Sequence, residues 1–256
     1  MLHRFFPAVL LFPLLLASLP IAAAQTPLRV AAAADLEPVL PPILEQFHAA
    51  TGIRAEATYK ASAMLTTQIL NGAPFDLFLS ADLNYPQRLI DAGTADAKSP
   101  VVYARGTLVL WERNDSHLPP PSLSLLRSPR LKRLAIASPE RAPYGRAAVA
   151  ALRKLGLYDA LQPRLATAEN IAQAAQFADS GNADAGLISL TSALTPTLKS
   201  AGSYFAIPRG LYPPIEQGAV VVMRSPQRDA AHKLLDFLLS APIQAELAKG
   251  GLTPAR

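Results

Sequence analysis

Short apolar runs and helix-spaced runs take turns along this chain. Leu28 to Ala32 is a short apolar stretch of strand type. Ile43 to Ala50 has helical spacing and closes near Gly52. Ile53 to Tyr59 alternates as a strand does, and Met64 to Leu70 is helical up to Asn71 and Gly72. Asp76 to Ser80 reads as a buried strand, and Tyr85 to Asp91 as a helix that stops at Gly93. Gly106 to Trp111 is a further strand, and the proline run from Leu118 to Pro121 is a loop. Arg133 to Ala137 restarts the rhythm, with helices at Gly145 to Leu155 and Ile171 to Ser180. Strands follow at Ala185 to Ser189 and Gly218 to Met223. Two helices, Gln227 to Leu239 and Ile243 to Lys249, close the chain. Strand followed by helix, repeated, predicts an α/β fold with parallel strands.

The order of these elements predicts two lobes joined by two hinge strands. Residues 25–106 and 218–256 make a discontinuous first lobe, and residues 107–217 make the second. The ligand cleft is expected between them, where pockets commonly lie.

The N-terminus departs from this rhythm. Arg4 precedes an apolar run from Phe5 to Leu19, and Ala22-Ala23-Ala24 stands before Gln25. This is the pattern of a cleaved signal peptide over residues 1–24, which places the rest of the chain in the periplasm. Pro7 and Pro13 interrupt the run and argue against a permanent membrane helix. Loss of Arg4 lowers the formal charge from +5 by one, because residues 1–24 hold no acid. The basic residues are scattered, with no basic stripe interleaved with aromatics, so nucleic acid is not expected as a partner. The chain has no cysteine, which excludes disulfides, thiolate catalysis and cysteine-bound metals. His48, His117 and His232 lack metal-ligand spacing.

Chemistry is expected at four loop-to-helix junctions. They are Ala33-Ala34-Asp35-Leu36, Lys60-Ala61-Ser62-Ala63, Ala142-Pro143-Tyr144-Gly145 and Ala168-Glu169-Asn170-Ile171. Small residues there let backbone N–H groups approach a ligand. A helix start has unpaired N–H donors and a positive dipole end. Several starts on one cleft hold an anion without arginine. Singly, each junction is also an ordinary cap, with Asp35, Ser62 and Asn170 as cap residues and Pro143 as a first-turn proline. Asp76, Asp82, Glu169 and Glu216 read as structural carboxylates.

Taken in order, the segments VAAAADL (30–36), QILNGAPFDLFLSAD (68–82), RGTLVLW (105–111), APYG (142–145), AENI (168–171), GNADAG (181–186) and LYPPIE (211–216) resemble the molybdate-binding proteins of ABC transporters. The resemblance covers nearly the whole chain after residue 24. It implies a two-lobed type II periplasmic binding fold and capture of molybdate or tungstate for a membrane permease, without catalysis or a cofactor. The metal then arrives inside an oxyanion and is not coordinated by the protein. The family's anion contacts fall on Ser62 as a hydroxyl donor, Tyr144, and the backbone N–H of Ile171. Asp35 stands where the family has a serine, threonine or asparagine contact. An ionised Asp35 repels a dianion, so its side chain is expected to turn away and cap its own helix. Lys60 is a further candidate, either offsetting Asp35, touching the anion directly or staying in solvent, and Ser189 stands where some members place a tyrosine. A monomer is expected, because a hinged receptor presents both lobe tips to the importer.

Three other readings stay open. An ester hydrolase with Ser62 as nucleophile lacks G-x-S-x-G and a nearby histidine. A sensing domain of a transcription regulator does not need a signal peptide. A receptor for another anion or a chelated metal is kept open by Asp35 and Lys60.

Overall fold

The structure, a computed structural model, describes residues 26–255. The expected signal peptide at residues 1–24 lies outside the described residues.

The chain begins with β1 (Leu28–Ala33), α1 (Leu40–Thr51), β2 (Ala55–Lys60), α2 (Ser62–Leu70), β3 (Leu77–Ser80), α3 (Asn84–Asp91) and β4 (Val101–Gly106). It continues with β5 (Leu108–Arg113), β6 (Leu134–Ala137), α4 (Pro143–Lys154), α5 (Tyr158–Leu161), β7 (Leu165–Ala168) and α6 (Ile171–Asp179). Then come β8 (Ala185–Ser189), α7 (Leu190–Ala193), α8 (Pro196–Ala201) and β9 (Gly202–Ala206). The chain closes with β10 (Ile215–Val221), α9 (Arg228–Leu239), α10 (Ala241–Lys249) and β11 (Thr253–Pro254).

Two sheets result. One has the order β11-β4-β10-β3-β1-β2, the other β7-β6-β8-β5-β9. β1 pairs in parallel with β2 and β3, with Val30 opposite both Ala57 and Leu77. Strands covered on both faces read as continuous apolar runs, and β1 does. Leu40, Ile43, Leu44 and Phe47 form the buried stripe of α1 at helical spacing. Pro41 and Pro42 fit its first turn, so the helix starts earlier than Ile43. Gly52, at φ 73°, ends it in the left-handed conformation that glycine takes without strain.

The expectation of parallel strands needs correction at two places. β10 runs antiparallel to β3 and β4, and β5 runs antiparallel to β8 and β9. These are the strands at which the chain changes sheet, so each enters its sheet from the opposite end. The expected strand from Gly106 to Trp111 is β5, with the crossing at its first two residues. β4 ends in one sheet at Gly106, and β5 opens the other at Leu108. The return runs from the end of β9 at Ala206 to Ile215.

The second sheet's core centres on Trp111, which is fully buried. Against it α4 approaches β6 so closely that only glycine fits at position 145. A Cβ there would lie 2.3 Å from the Ala137 carbonyl oxygen and 2.6 Å from that of Ser138. Both obstacles are backbone. Gly145→Ala is therefore expected to cost about 1–3 kcal/mol, as overpacking does. An unchanged denaturation midpoint would show that α4 shifts freely.

Candidate functional site

All four junctions meet. Ala33, Ala34 and Asp35 follow β1; Lys60, Ala61 and Ser62 lead into α2; Ala142, Pro143 and Tyr144 begin α4; Asn170 and Ile171 begin α6. Together with Ala81 they line one cavity between the two sheets. The cavity is small, ≈ 10 Å³, room for about one water-sized sphere. A larger hollow of ≈ 800 Å³ lies by Ile53, Gln227 and Lys233, but none of the junctions reaches it. We place the candidate site at the small cavity, because only there do several helix starts converge.

Each start contributes differently. The N-cap of α2 is Ala61 and that of α4 is Ala142, neither with a capping side chain. Their first N–H groups therefore have no intrahelical partner. At α6 the Asn170 side chain accepts from the Gln173 N–H at 3.0 Å, one turn inside the helix. Capping there leaves the first N–H, that of Ile171, unclaimed by the cap.

Ser62 is buried. Its Oγ accepts from the Ala81 N–H at 3.2 Å, which leaves its own O–H free to donate. Lys60 is half-buried on the cavity wall. Ser189 is not brought to the cavity. It caps α7 by accepting from the Ser192 N–H at 3.2 Å, and the Thr191 hydroxyl donates to it at 2.9 Å.

Asp35 corrects an expectation. It does not cap its own turn of helix, which lacks a side-chain cap. The side chain is instead fully buried between the lobes. Its Oδ2 accepts from the Tyr144 hydroxyl at 3.1 Å and from Nε2 of Gln217. The Thr191 hydroxyl donates to its backbone oxygen at 2.7 Å. Burial raises its carboxyl to about 6, even though the bonds from Gln217 and Tyr144 act to lower it. Burial, then the charge of Asp35, holds the Tyr144 hydroxyl well above the usual phenol range. Tyr103 is raised for the same two reasons.

Sequence reasoning missed Gln217. It is fully buried in β10 and touches the one carboxylate of the cavity. The signal was present, because an amide inside the apolar strand Ile215–Val221 has to be satisfied by something.

The lobes are also tied beside the cavity. Arg146 of α4 pairs with Asp82 after β3, and it stacks over the Tyr85 ring at 5.3 Å. The Ala63 N–H donates to the Arg141 oxygen at 3.2 Å. Asp82 thus keeps a structural role, and so does Asp76, which accepts from the Arg29 N–H at 2.7 Å. The two carboxylates have different partners and form no pair. Glu216 pairs with Arg105 at 3.2 Å, where both are partly exposed.

Known proteins share this fold. A molybdate-binding protein of Azotobacter vinelandii is 36% identical over 228 residues, 89% of this chain and 90% of its own length. One from Rhodobacter capsulatus is 38% identical over 188 residues, 73% of each chain. The solved structure of an Azotobacter vinelandii periplasmic molybdate-binding protein superposes with a TM-score of 0.84 at 31% identity, covering 90% of this chain and all of that one. The profile described as bacterial extracellular solute-binding protein matches residues 28–253. With two sheets, a double crossing and a cleft of helix starts between them, the chain belongs to the bacterial extracellular solute-binding protein family.

Proposed function

We propose that this chain captures a tetrahedral oxyanion, molybdate or tungstate, in the periplasm and hands it to the permease of an ABC importer. The observation that carries this reading is the convergence of four junctions on one small cavity. Its donors are neutral N–H and O–H groups, with Lys60 as the one charged side chain of that sign on the wall. A dianion accepts many hydrogen bonds, and each helix start adds about 0.3–1 kcal/mol of dipole attraction. The cavity is too small for a bulky organic solute. The names of the relatives point to the same ligand.

Ser62, Tyr144 through its N–H because its hydroxyl donates to Asp35, the N–H of Ile171 and Asp35 are the contacts in this reading, with Lys60 on the same wall. Ser189 is left out because its hydroxyl is engaged with α7. The protein acts as a monomer, and residues 1–24 are its cleaved export signal. Catalysis at Ser62 would need a base to take its proton, whereas the bond its Oγ makes is to a backbone N–H.

Calorimetric titration with molybdate, tungstate and sulfate tests the reading. Tight binding of the first two, with weak or no binding of sulfate, is expected. Failure of all three to bind would overturn it. Ser62→Ala is expected to weaken molybdate binding by about 0.5–1.5 kcal/mol, the worth of one hydrogen bond. Equal affinity would remove Ser62 from the site.

A further inference from the structure

Asp35 is an acceptor in a cavity otherwise made of donors. Oδ2 is satisfied by two neutral groups, the Tyr144 hydroxyl and the Gln217 amide. Oδ1 is buried and has no hydrogen-bond partner, and neither does Oε1 of Gln217. Two orphaned buried acceptors in one spot are costly and need an explanation. Both lack the same thing, which is a proton. A dianion brings more acceptor oxygens and more negative charge to the same wall. A proton on Oδ1 answers the first of these orphans and the added charge together. It removes the carboxylate charge and turns an orphaned acceptor into a donor.

We propose that Asp35 takes up one proton when the anion binds, so that the protein captures an oxyanion and a proton together. This rests on the oxyanion reading.

Among the described residues, no cation forms an ion pair with Asp35. Tyr144 faces Asp35 from α4 and Tyr103 from β4, and Tyr212, in the loop before β10, adds to the cluster through Tyr144. None of these supplies positive charge. β10 brings Gln217, while its neighbour Glu216 is paired with Arg105. α7 brings the Thr191 hydroxyl to the backbone oxygen, and α6 brings Ile171 to the cavity wall. β2 ends in Lys60 on the same wall. Among the described residues, the ion pairs of Arg105, Arg113, Arg146, Arg228, His232 and Lys249 are all made with other acids.

The direction of the pH effect follows. Burial, net of the bonds from Gln217 and Tyr144, already raises Asp35 to about 6, and a bound dianion raises it further. Below pH 6 the acid is protonated before binding, and this group adds no pH dependence. Above it, up to the higher value in the complex, each pH unit weakens binding by up to about tenfold.

The test is calorimetry of the protein with sodium molybdate at pH 6, 7 and 8. Each titration is run in two buffers of different ionisation heat, which counts the protons exchanged. About one proton taken up per anion at pH 8 is expected, with the dissociation constant rising from pH 7 to pH 8. Asp35→Asn keeps an acceptor for Tyr144 and carries N–H where the acid carries O–H. Its binding is expected to be flat across this range, with no uptake. Molybdate binding by the parent protein with no proton uptake and equal affinity at pH 6 and 8 would overturn the proposal alone. Retained uptake in the asparagine variant would also overturn it. No molybdate binding at any pH would overturn the oxyanion reading, and the proposal with it.

Discussion

Trp111→Ala is expected to cost about 3–5 kcal/mol of folding stability, the range for deleting a large buried aromatic. Trp111 is fully buried on β5, the strand that opens the second sheet. Its neighbours cannot close in on the gap easily. A Cβ on Gly202 would meet the ring at 2.3 Å, so the ring already lies flush against the β9 backbone. The ring also has a polar tie. Its Nε1 donates to the Leu198 carbonyl at 3.2 Å, and alanine leaves that oxygen without this donor. For a chain of this size each kcal/mol moves the melting temperature by about 2–4 °C. A fall of about 6–20 °C is therefore expected in a thermal melt. A shift under 2 °C would mean that the second lobe's core is held elsewhere.

The second large effect concerns charge rather than volume. Asp35 has a folded-state pKa of about 6, above its ordinary value of 3.8. A group whose pKa is raised by burial favours folding while it is protonated. That contribution is complete below pH 3.8 and is lost as pH rises through 6. By pH 8 the ionised carboxylate costs the fold about 3 kcal/mol relative to the protonated acid. Asparagine never carries this charge. Asp35→Asn is thus expected to stabilise the free protein at pH 8 by up to about 3 kcal/mol and to gain little at pH 4. Urea denaturation of both proteins at the two pH values measures this. An equal difference at pH 4 and pH 8 would show that charge is not the cause.

Local pattern carried much of the fold. The stretch from Leu28 to Asp91 is legible because each strand is short and apolar and each helix shows one buried stripe. The solute-binding fold and family were legible as well, from segments spread across the chain. What escaped has physical causes. β9, GSYFA, is an edge strand with exposed positions, so it lacks an apolar run. β7 has four residues, too few to show a period. β4 went unread because it is only partly buried and shows no continuous apolar run. Strand direction at β5 and β10 depends on which sheet each joins, and no local pattern encodes that.

At the candidate site the junctions were visible as small residues before helix starts. Their meeting in one cavity is a property of topology. Asp35 stood out only as an odd residue among expected hydroxyls. Its true partners, Tyr144 and Gln217, are 109 and 182 residues away. A carboxylate looks for donors through space, so a capping role inferred from neighbours in sequence was the wrong one. Ser189 failed in the opposite way. Its nearest claimants, Thr191 and Ser192, are close in sequence and had already taken the hydroxyl.

The double crossing also fixes the order in which the chain becomes whole. Every strand of the second sheet lies between Leu108 and Ala206, so that sheet is complete while the last fifty residues are still being made. The first sheet has to wait. Its third strand, β3, gains its second neighbour only when Gly218 reaches Ser80, and its edge is finished by Thr253 against Arg105. Such distant pairings form late because a long loop must close before they are made. A ribosome-bound or half-exported chain that stops short of β10 therefore holds one finished lobe and one open sheet, and its Asp35 still lacks Gln217.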